Sequence, residues 1–163
     1  MLIIRKAEVE DCLSIAHVHS SAVRAISTSL YTAEEIEAWA LPRTPENYKQ
    51  SIHTKEFHVA VEDDVTVGFG VLNPESREIE AVYVSPDVMR RGVGLMILSF
   101  LEKRARALGL EALSLNASLN AVRFYSRAGY VAQEEAKYRL HSGVEIPCVP
   151  MVKRLMLMTD AMK

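Results

Sequence analysis

A buried strand that leads through a glycine-containing loop into an amphipathic helix is the feature that most constrains the fold. The strand is predicted over residues 78–84, where residues 81–84 are continuously apolar. Such a run is typical of a strand that is covered on both faces. Apolar residues at helical spacing then extend from Gly94 to Leu108, and Gly109 is placed to end the helix. A helix that packs back on such a strand predicts a domain that mixes α and β structure.

The loop between this strand and this helix has the chemistry of a phosphate-binding site. Its residues are Met89, Arg90, Arg91, Gly92, Val93 and Gly94. A helix N-terminus exposes unpaired N–H groups and the positive end of the helix dipole, so anions bind there. Glycine lets the backbone approach an anion closely, and the two arginines add positive charge. The alternative is a tight turn with solvated arginines, because short glycine motifs are weak signals.

Two common phosphate-binding motifs do not fit the loop. A P-loop requires a Lys-Ser or Lys-Thr pair directly after its last glycine, and no such pair follows Gly94. A dinucleotide-binding fingerprint requires a further glycine at position 97, where this chain has Ile97. The loop therefore indicates a phosphate ligand of another kind.

The remaining pattern predicts one domain over residues 1–163. Further strands are predicted over 2–5, 57–61, 66–72, 113–115, 131–140 and 144–155, and further helices over 9–26, 32–41 and 120–128. Gly68 and Gly70 predict close backbone contacts or a bulge within their strand. Pro147 and Pro150 predict that the last strand lies at an edge of the sheet or carries a bulge.

Composition excludes several classes of protein. Hydrophobic residues make up 49% of the chain and charged residues 25%, which is typical of a globular domain. A formal net charge of −2 gives no basic field for nucleic acid, and no apolar run is long enough for a membrane span. Cys12, Cys148 and the five histidines fit neither a metal spacing nor a disulfide framework. We therefore expect a cytoplasmic protein with reduced thiols, no metal, and no nucleic-acid or membrane partner.

The glycine loop and a second motif together resemble the GNAT superfamily of N-acetyltransferases. The pyrophosphate loop of that family reads Gln/Arg-x-x-Gly-x-Gly/Ala, and residues 89–94 match it except at Met89. The second motif is an asparagine before a helix with Phe-Tyr-x-x-x-Gly-Tyr/Phe, which residues 116–130 match. With the order of elements, the resemblance covers nearly the whole chain. It implies an α+β fold, with a mixed, mostly antiparallel sheet of about seven strands flanked by about four helices.

The resemblance implies acetyl-CoA as co-substrate, with strand residues along the pantetheine arm and loop residues on the pyrophosphate. The residues implied to bind it are Val82, Tyr83, Val84, Met89, Arg90, Arg91, Gly92, Val93, Gly94, Leu95, Asn116, Asn120, Phe124 and Tyr125. Loop contacts of this kind come mostly from backbone N–H groups, so Met89 removes only a side-chain contribution. Asn120 has two interpretations, a helix cap or a hydrogen-bond partner of the pantetheine.

Acyl transfer from a thioester to an amine needs an uncharged amine, a stabilised carbonyl oxygen and a proton for the departing thiolate. An alkylammonium has a pKa near ~10, so a base or a water chain must take its proton at neutral pH. Glu78 and Glu80, two residues apart on one strand, are predicted to share a face, and the resemblance makes each a candidate base. Tyr125 resembles the general acid of the family, and the alternative is a core aromatic residue.

The resemblance also implies which residues meet the acceptor amine. Tyr31 and Trp39 lie on the loop and helix that cover the acceptor site in the family, and His17 lies on the first helix. The expected acceptor is a primary amine of a small molecule; a polyamine, an antibiotic, an amino acid and a peptide all stay open. The alternatives are a peptide or protein N-terminal acetyltransferase and a non-catalytic CoA-binding sensor. A homodimer is compatible with the resemblance.

Overall fold

The computed structural model describes residues 1–156, in which an eight-stranded sheet carries helices on both faces. The strands are β1 (Leu2–Lys6), β2 (Glu56–Glu62), β3 (Val65–Asn73), β4 (Glu78–Val84), β5 (Ala112–Ala117), β6 (Val131–Ala132), β7 (Ala136–Arg139) and β8 (Glu145–Arg154). The helices are α1 (Cys12–Arg24), α2 (Ala33–Ala40), α3 (Pro45–Thr54), α4 (Val93–Ala107) and α5 (Val122–Arg127). The predicted α+β fold class is confirmed.

The sheet has one parallel pair of strands, and that pair is short. The strand order is β1-β2-β3-β4-β5-β8-β6, with β7 also paired to β8, and all neighbours except β4 and β5 are antiparallel. Strands β4 and β5 pair only through Glu78 with Ser114 and Ile79 with Leu115. Beyond these pairs β4 runs on to Val84 and β5 to Ala117. The two strands therefore separate and leave an opening, the β4–β5 wedge, bounded by residues 80–84 and 116–117.

Helix α4 covers one face of the sheet and approaches β3 closely. Its residues Ile97, Leu98 and Leu101 are almost completely buried in the largest core cluster. A Cβ atom placed on Gly70 would lie 2.5 Å from Ile97 Cγ2 and 2.8 Å from Leu101 Cδ1. The predicted close approach at this glycine is confirmed, because α4 occupies the space of a side chain.

The other face is covered by α1, α3 and α2. Phe57 and Phe69 of the sheet stack with ring centroids 5.6 Å apart and belong to a core cluster with α1 and α3. A separate cluster joins α2 to β8 through Ile36, Ala40 and Ile146. The face of β4 that carries Ala81 and Tyr83 is thus covered by these helices.

Helix α3 was not predicted, although its start carries clear signals. Thr44 accepts a hydrogen bond from the N–H of Asn47 at 3.3 Å, and Pro45 occupies the first helical position. Tyr48 and Ile52, four residues apart, are both buried. The prediction passed from Pro42 straight to a strand because the ten-residue helix has few apolar residues.

The final hairpin also differs from its prediction. The arm predicted over 131–140 is two short strands, β6 and β7. The strand is interrupted because three residues, 133–135, lie opposite only two residues of β8, Val149 and Pro150. Strand β8 pairs with β7 over residues 145–148 and with β5 over residues 149–154. Pro147 therefore lies where the strand is paired on one side, as predicted for an edge, whereas the edge prediction was wrong for Pro150. Pro150 has no N–H to donate, but its carbonyl accepts a hydrogen bond from the N–H of Gln133 at 2.8 Å.

Three features bear on compartment and cofactors. Within the described part of the chain, no helix combines the length and apolarity that crossing a bilayer requires. Cys12 and Cys148 are both free thiols and both buried. Among residues 1–156, no group of three or more His, Cys, Asp or Glu side chains is placed to hold a metal ion.

We predict that Gly70→Ala lowers the free energy of unfolding by about 1–3 kcal/mol, because the added methyl group overpacks the contact between β3 and α4. Gly94→Ala is the matched control, because a Cβ there would make only ordinary contacts at 3.5 Å or more. Urea denaturation of the ligand-free proteins measures both. Equal stability of Gly70→Ala and the unmodified protein would contradict the proposed contact.

Candidate active site

The loop before α4 presents a helix N-terminus with open space in front of it. Gly92 caps the helix with φ 79° and ψ 8°, a left-handed conformation that favours glycine. A Cβ atom on Gly92 would meet nothing within 4 Å. The first helical hydrogen bond runs from the N–H of Met96 to the Gly92 carbonyl at 3.0 Å, so the N–H groups of residues 93–95 have no helical partner. The loop can therefore bind an anion through its backbone.

The charges of the loop are distributed unequally. Arg91 forms two hydrogen bonds to Glu62, at 2.6 and 3.1 Å, and this carboxylate raises the pKa of Arg91. Arg90 has no ion pair within residues 1–156 and adopts a positive φ of 65°. Arg90 is therefore the side-chain cation that the loop offers to a ligand. Met89 and Leu95 are about half exposed beside it and add apolar surface.

The open end of the β4–β5 wedge is lined by three elements. A Cβ atom on Gly94 would lie 3.5 Å from Phe124 Cζ and 3.6 Å from Val84 Cγ2, so α4, α5 and β4 meet there. Val82 and Val84 pack against the core cluster of α4. The structure thus brings together Val82, Val84, Gly94 and Phe124 of the predicted cofactor-binding set.

The two predicted asparagines lie at the other border of the wedge. Asn116 is exposed on β5, between the buried residues Leu115 and Ala117. Asn120 is exposed in a 3₁₀ turn before α5, and the residue that caps α5 is Ala121, without a side-chain hydrogen bond. The interpretation of Asn120 as a helix cap is therefore wrong, and its amide is free for another partner.

Tyr125 is a buried ring whose hydroxyl has no partner among residues 1–156. Its exposed fraction is 7%, and its ring makes edge contacts with Phe124 at 5.0 Å and Tyr130 at 5.7 Å between centroids. Burial raises the pKa of Tyr125, with a smaller contribution from Tyr83. The phenol therefore keeps its proton throughout the neutral range, and its ring is packed as a core residue.

A β-bulge changes how the two candidate carboxylates are presented. Ala81 pairs with Val71 and Ile79 pairs with Leu72, so Glu80 has no partner on β3. The extra residue breaks the two-residue alternation, since Ile79 and Val82 both lie in the α4 cluster. The prediction that Glu78 and Glu80 share one face assumed a regular strand. The bulge lies between them, yet Glu80 and Lys55 both act on the pKa of Glu78, so the two carboxylates remain neighbours.

The bulge leaves Glu80 paired and Glu78 unpaired. Lys55, the residue that ends α3, donates to both carboxylate oxygens of Glu80 at 2.6 and 2.7 Å. Glu78 is half-buried and forms no ion pair within the described residues. Burial raises the pKa of Glu78, the charge of Glu80 raises it further, and Lys55 lowers it. The two carboxylates are therefore neighbours with different roles, and Lys55 is a residue that the sequence reasoning missed.

Aromatic side chains form the acceptor side of β4. Trp39 donates its indole N–H to the Tyr83 hydroxyl at 3.0 Å. The rings of Tyr31 and Trp39 form an edge contact with their centroids 5.4 Å apart. The Tyr31 hydroxyl donates to the Pro147 carbonyl and accepts from the N–H of Leu119, both at 2.9 Å. Tyr31 is therefore a buried cross-link between β8 and the start of α5, while the half-buried Trp39 remains at the border of the site.

The structure does not bring His17 together with Tyr31 and Trp39. His17 is exposed in an open surface depression that Leu13 and Thr66 also line. His19 lies in the aromatic cluster instead, with its ring 4.9 Å from Tyr83. The sequence carried a signal for this, because Ile15, Val18 and His19 follow the buried spacing of α1.

His19 is a neutral, deeply buried histidine. Its pKa is lowered to about 4, mainly by burial and also by the Arg43 charge, against an opposing contribution from the Trp39 backbone. Its Nδ1 lies 3.5 Å from the Tyr48 hydroxyl, and its Nε2 is buried without a hydrogen-bond partner. An imidazole of this kind is uncharged at neutral pH.

Comparison with known proteins identifies the family. The model of the acetyltransferase (GNAT) domain matches residues 27–155. The uncharacterised N-acetyltransferase YafP of Escherichia coli K12 is 26% identical over 138 residues, which are 83% of this chain and 87% of YafP. A crystal structure of a GCN5-related N-acetyltransferase from Rhodopseudomonas palustris is 28% identical, with a TM-score of 0.82 and coverage of 94% and 95%.

A second structure shows the same fold at lower identity. The PaiA N-acetyltransferase of Thermoplasma acidophilum, solved in complex with coenzyme A, is 20% identical with a TM-score of 0.78. Coverage is 95% of this chain and 99% of that protein. The family model spans the glycine loop, the β4–β5 wedge and α5, and the chain belongs to the GNAT acetyltransferase family.

Proposed function

We propose that this protein transfers an acetyl group from acetyl-CoA to a primary amine of a small molecule, by direct attack in a ternary complex. The observation that carries the proposal is the β4–β5 wedge, which opens beside an anion-binding helix N-terminus and has an unpaired carboxylate near its closed end. Glu78 lies at the closed end, where its backbone pairs with Ser114 of β5. Gly92 caps α4 at the open end.

The donors along the wedge fit the chemistry of coenzyme A. The backbone of residues 81–84 has no β5 partner, so its polar groups are free to pair with the amides of an extended pantetheine chain. The N–H groups at the start of α4 and the free cation of Arg90 suit a pyrophosphate. Acetyl-CoA supplies a thioester carbonyl that an amine can attack. The coenzyme A bound to the Thermoplasma relative supports the same assignment.

Glu78 is the better candidate for the base. A carboxylate that accepts two hydrogen bonds from a lysine is occupied by that contact and held in one orientation, which describes Glu80. Glu78 has no such partner, and its raised pKa moves its proton affinity toward that of a useful base at neutral pH. Glu80 and Lys55 then act as positioning residues that set the pKa of Glu78.

Tyr125 is the candidate proton donor for the leaving sulfur. Its hydroxyl is protonated and has no partner among the described residues, and its ring is fixed by Phe124 and Tyr130. A fixed donor of this kind needs no reorganisation when negative charge develops on sulfur.

The acceptor side supports a small molecule over a peptide groove. The Tyr31 hydroxyl joins β8 to the turn before α5, and Ile146 of β8 packs against Ile36 and Ala40 of α2. These contacts close the side along which an extended peptide would have to run. This closure favours a small acceptor that enters beside Trp39.

We predict that the acidic limb of the pH profile of kcat/KM reports Glu78 and shifts in opposite directions in two variants. Activity should fall as the pH drops through the raised pKa of Glu78, because only the carboxylate accepts a proton. Glu80→Gln removes a charge that raises this pKa, so the limb should move to lower pH. Lys55→Met removes the charge that lowers it, so the limb should move to higher pH.

Glu78→Gln should remove the limb and reduce the rate by roughly 10²–10⁴-fold. Thiol release from acetyl-CoA is measured with the same amine for every variant across the pH range. The pKa of the amine then contributes equally to every profile. If Glu80→Gln removes the limb while Glu78→Gln leaves it in place, the two roles are reversed and the assignment fails.

We predict that Tyr125→Phe lowers kcat by roughly 10²–10⁴-fold with little loss of stability, because the change removes only the hydroxyl. Acetyl-CoA affinity, measured by calorimetry, should be nearly unchanged. Tyr130→Phe is the matched control, since the Tyr130 hydroxyl faces Glu102 at 3.5 Å and not the wedge. Wild-type turnover by Tyr125→Phe would show that the ring only fills the core.

A further inference from the structure

Arg43 is a partly buried cation for which the described protein provides no counter-charge. It lies in the four-residue connection between α2 and α3. Its Nε is buried without a hydrogen-bond partner, and Arg43 forms no ion pair within residues 1–156. Leaving a buried charged group unpaired is unfavourable, so such a group indicates a partner that arrives from outside.

Four carboxylates on the elements around this connection are engaged elsewhere, and the unpaired Glu78 forms no ion pair with Arg43 within residues 1–156. On α2, Glu37 pairs with Arg24 at 3.4 Å, and Glu35 completes the capping box of Thr32. On α3, Glu46 pairs with Lys49 at 3.4 Å. On β4, Glu80 is held by Lys55. The cation therefore stays available.

The contacts of the residues before and after Arg43 place it beside the aromatic cluster. Trp39 donates to the Tyr83 hydroxyl, and the Tyr48 hydroxyl lies 3.5 Å from His19 Nδ1.

The charge of Arg43 acts on groups of this cluster. Burial raises the pKa of Tyr48 and lowers that of His19, and the Arg43 charge lowers both. Burial also raises the pKa of Tyr138, which the charge of Glu78 raises and that of Arg43 lowers. The charges of Glu78 and Arg43 thus both act on Tyr138.

A site that combines a base with an unpaired guanidinium fits a substrate with an amine and an anion. A guanidinium binds a carboxylate through two parallel hydrogen bonds, which fixes orientation as well as affinity. His19 adds a neutral imidazole whose Nε2 is unpartnered in the same cluster. A cationic polyamine, in contrast, would be repelled by Arg43.

We infer that the acceptor is an amino acid, whose carboxylate binds Arg43 while its amine reaches Glu78. This inference rests on the proposed function. Glu78 takes one proton from the ammonium group, and the amine nitrogen then forms a bond to the acetyl carbon. The carbon–sulfur bond breaks, the thiolate takes a proton from Tyr125, and the nitrogen's second departing proton restores the phenol. The products are an N-acetyl amino acid and CoA.

The test compares the twenty L-amino acids with their amides, which keep the amine and the side chain and lose only the negative charge. Thiol release from acetyl-CoA gives kcat/KM for each. The best amino acid should exceed its amide by roughly 10- to 100-fold, the range expected for a hydrogen-bonded charge. Arg43→Gln should lower kcat/KM for the acid by a similar factor and leave kcat/KM for the amide nearly unchanged. Because each compound is compared with itself in the two proteins, differences in amine basicity do not enter. Arg43→Lys should retain part of the preference.

Arg24→Gln is the matched control, because Arg24 pairs with Glu37 on the exposed surface. It should leave the ratio of acid to amide unchanged. Turnover of amides equal to that of acids, or an equal loss for both in Arg43→Gln, would overturn the inference and leave the proposed function intact. If Arg43→Gln folds poorly, the selectivity of the unmodified protein decides alone. If no amine of either kind releases thiol, the proposed function fails as well.

Discussion

The early end of pairing between β4 and β5 is the constraint on which the rest of the structure depends. The two parallel strands are joined at only two residue pairs, the second being Ile79 with Leu115. The bulge at Glu80 follows immediately. A bulge bends its strand and increases its twist, so it directs β4 away from β5 at the point where pairing stops. The wedge is therefore a consequence of one inserted residue.

The same bulge connects the fold to the chemistry. It leaves Glu80 without a strand partner and presents it to Lys55, while Glu78 stays half-buried beside the joined part of the strands. It also exchanges the faces of the residues that follow, so that Val82 and Val84 face α4 and Tyr83 faces the aromatic cluster. One irregularity thus determines the free backbone edge, the unpaired carboxylate and the orientation of the acceptor side.

Local sequence signals predicted the parts of the site that depend on local structure. The strand, the glycine loop and α4 follow from an apolar run, a helix cap and helical spacing, all within about thirty residues. The position of Gly92 at a left-handed helix start and the capping box at Thr32 are of the same kind. The short helix α3 also had a local signal, the Thr44-Pro45 start, which its polar composition concealed.

The features that the sequence could not predict all arise between distant segments. Lys55 and Glu80 are 25 residues apart, and the hydroxyl of Tyr31 is bonded to Pro147, 116 residues away. A bulge depends on the pairing partner, so β4 alone reads as a regular strand. The lack of a partner for Arg43 is likewise a property of the packed protein. The conformation of the glycine loop was therefore predictable from the sequence, whereas the pairing of the charged residues was not.

Amide hydrogen exchange with and without acetyl-CoA tests the central claim most directly, because the claim concerns free backbone groups. Saturating acetyl-CoA should slow exchange in peptides that cover residues 81–84 and 92–96 and leave β1 unchanged. Gly92→Val, which forces a β-branched residue into a left-handed position, should abolish this protection while the protein stays folded. Protection confined to another surface, such as the depression beside Leu13 and Thr66, or no protection at saturation, would contradict the account.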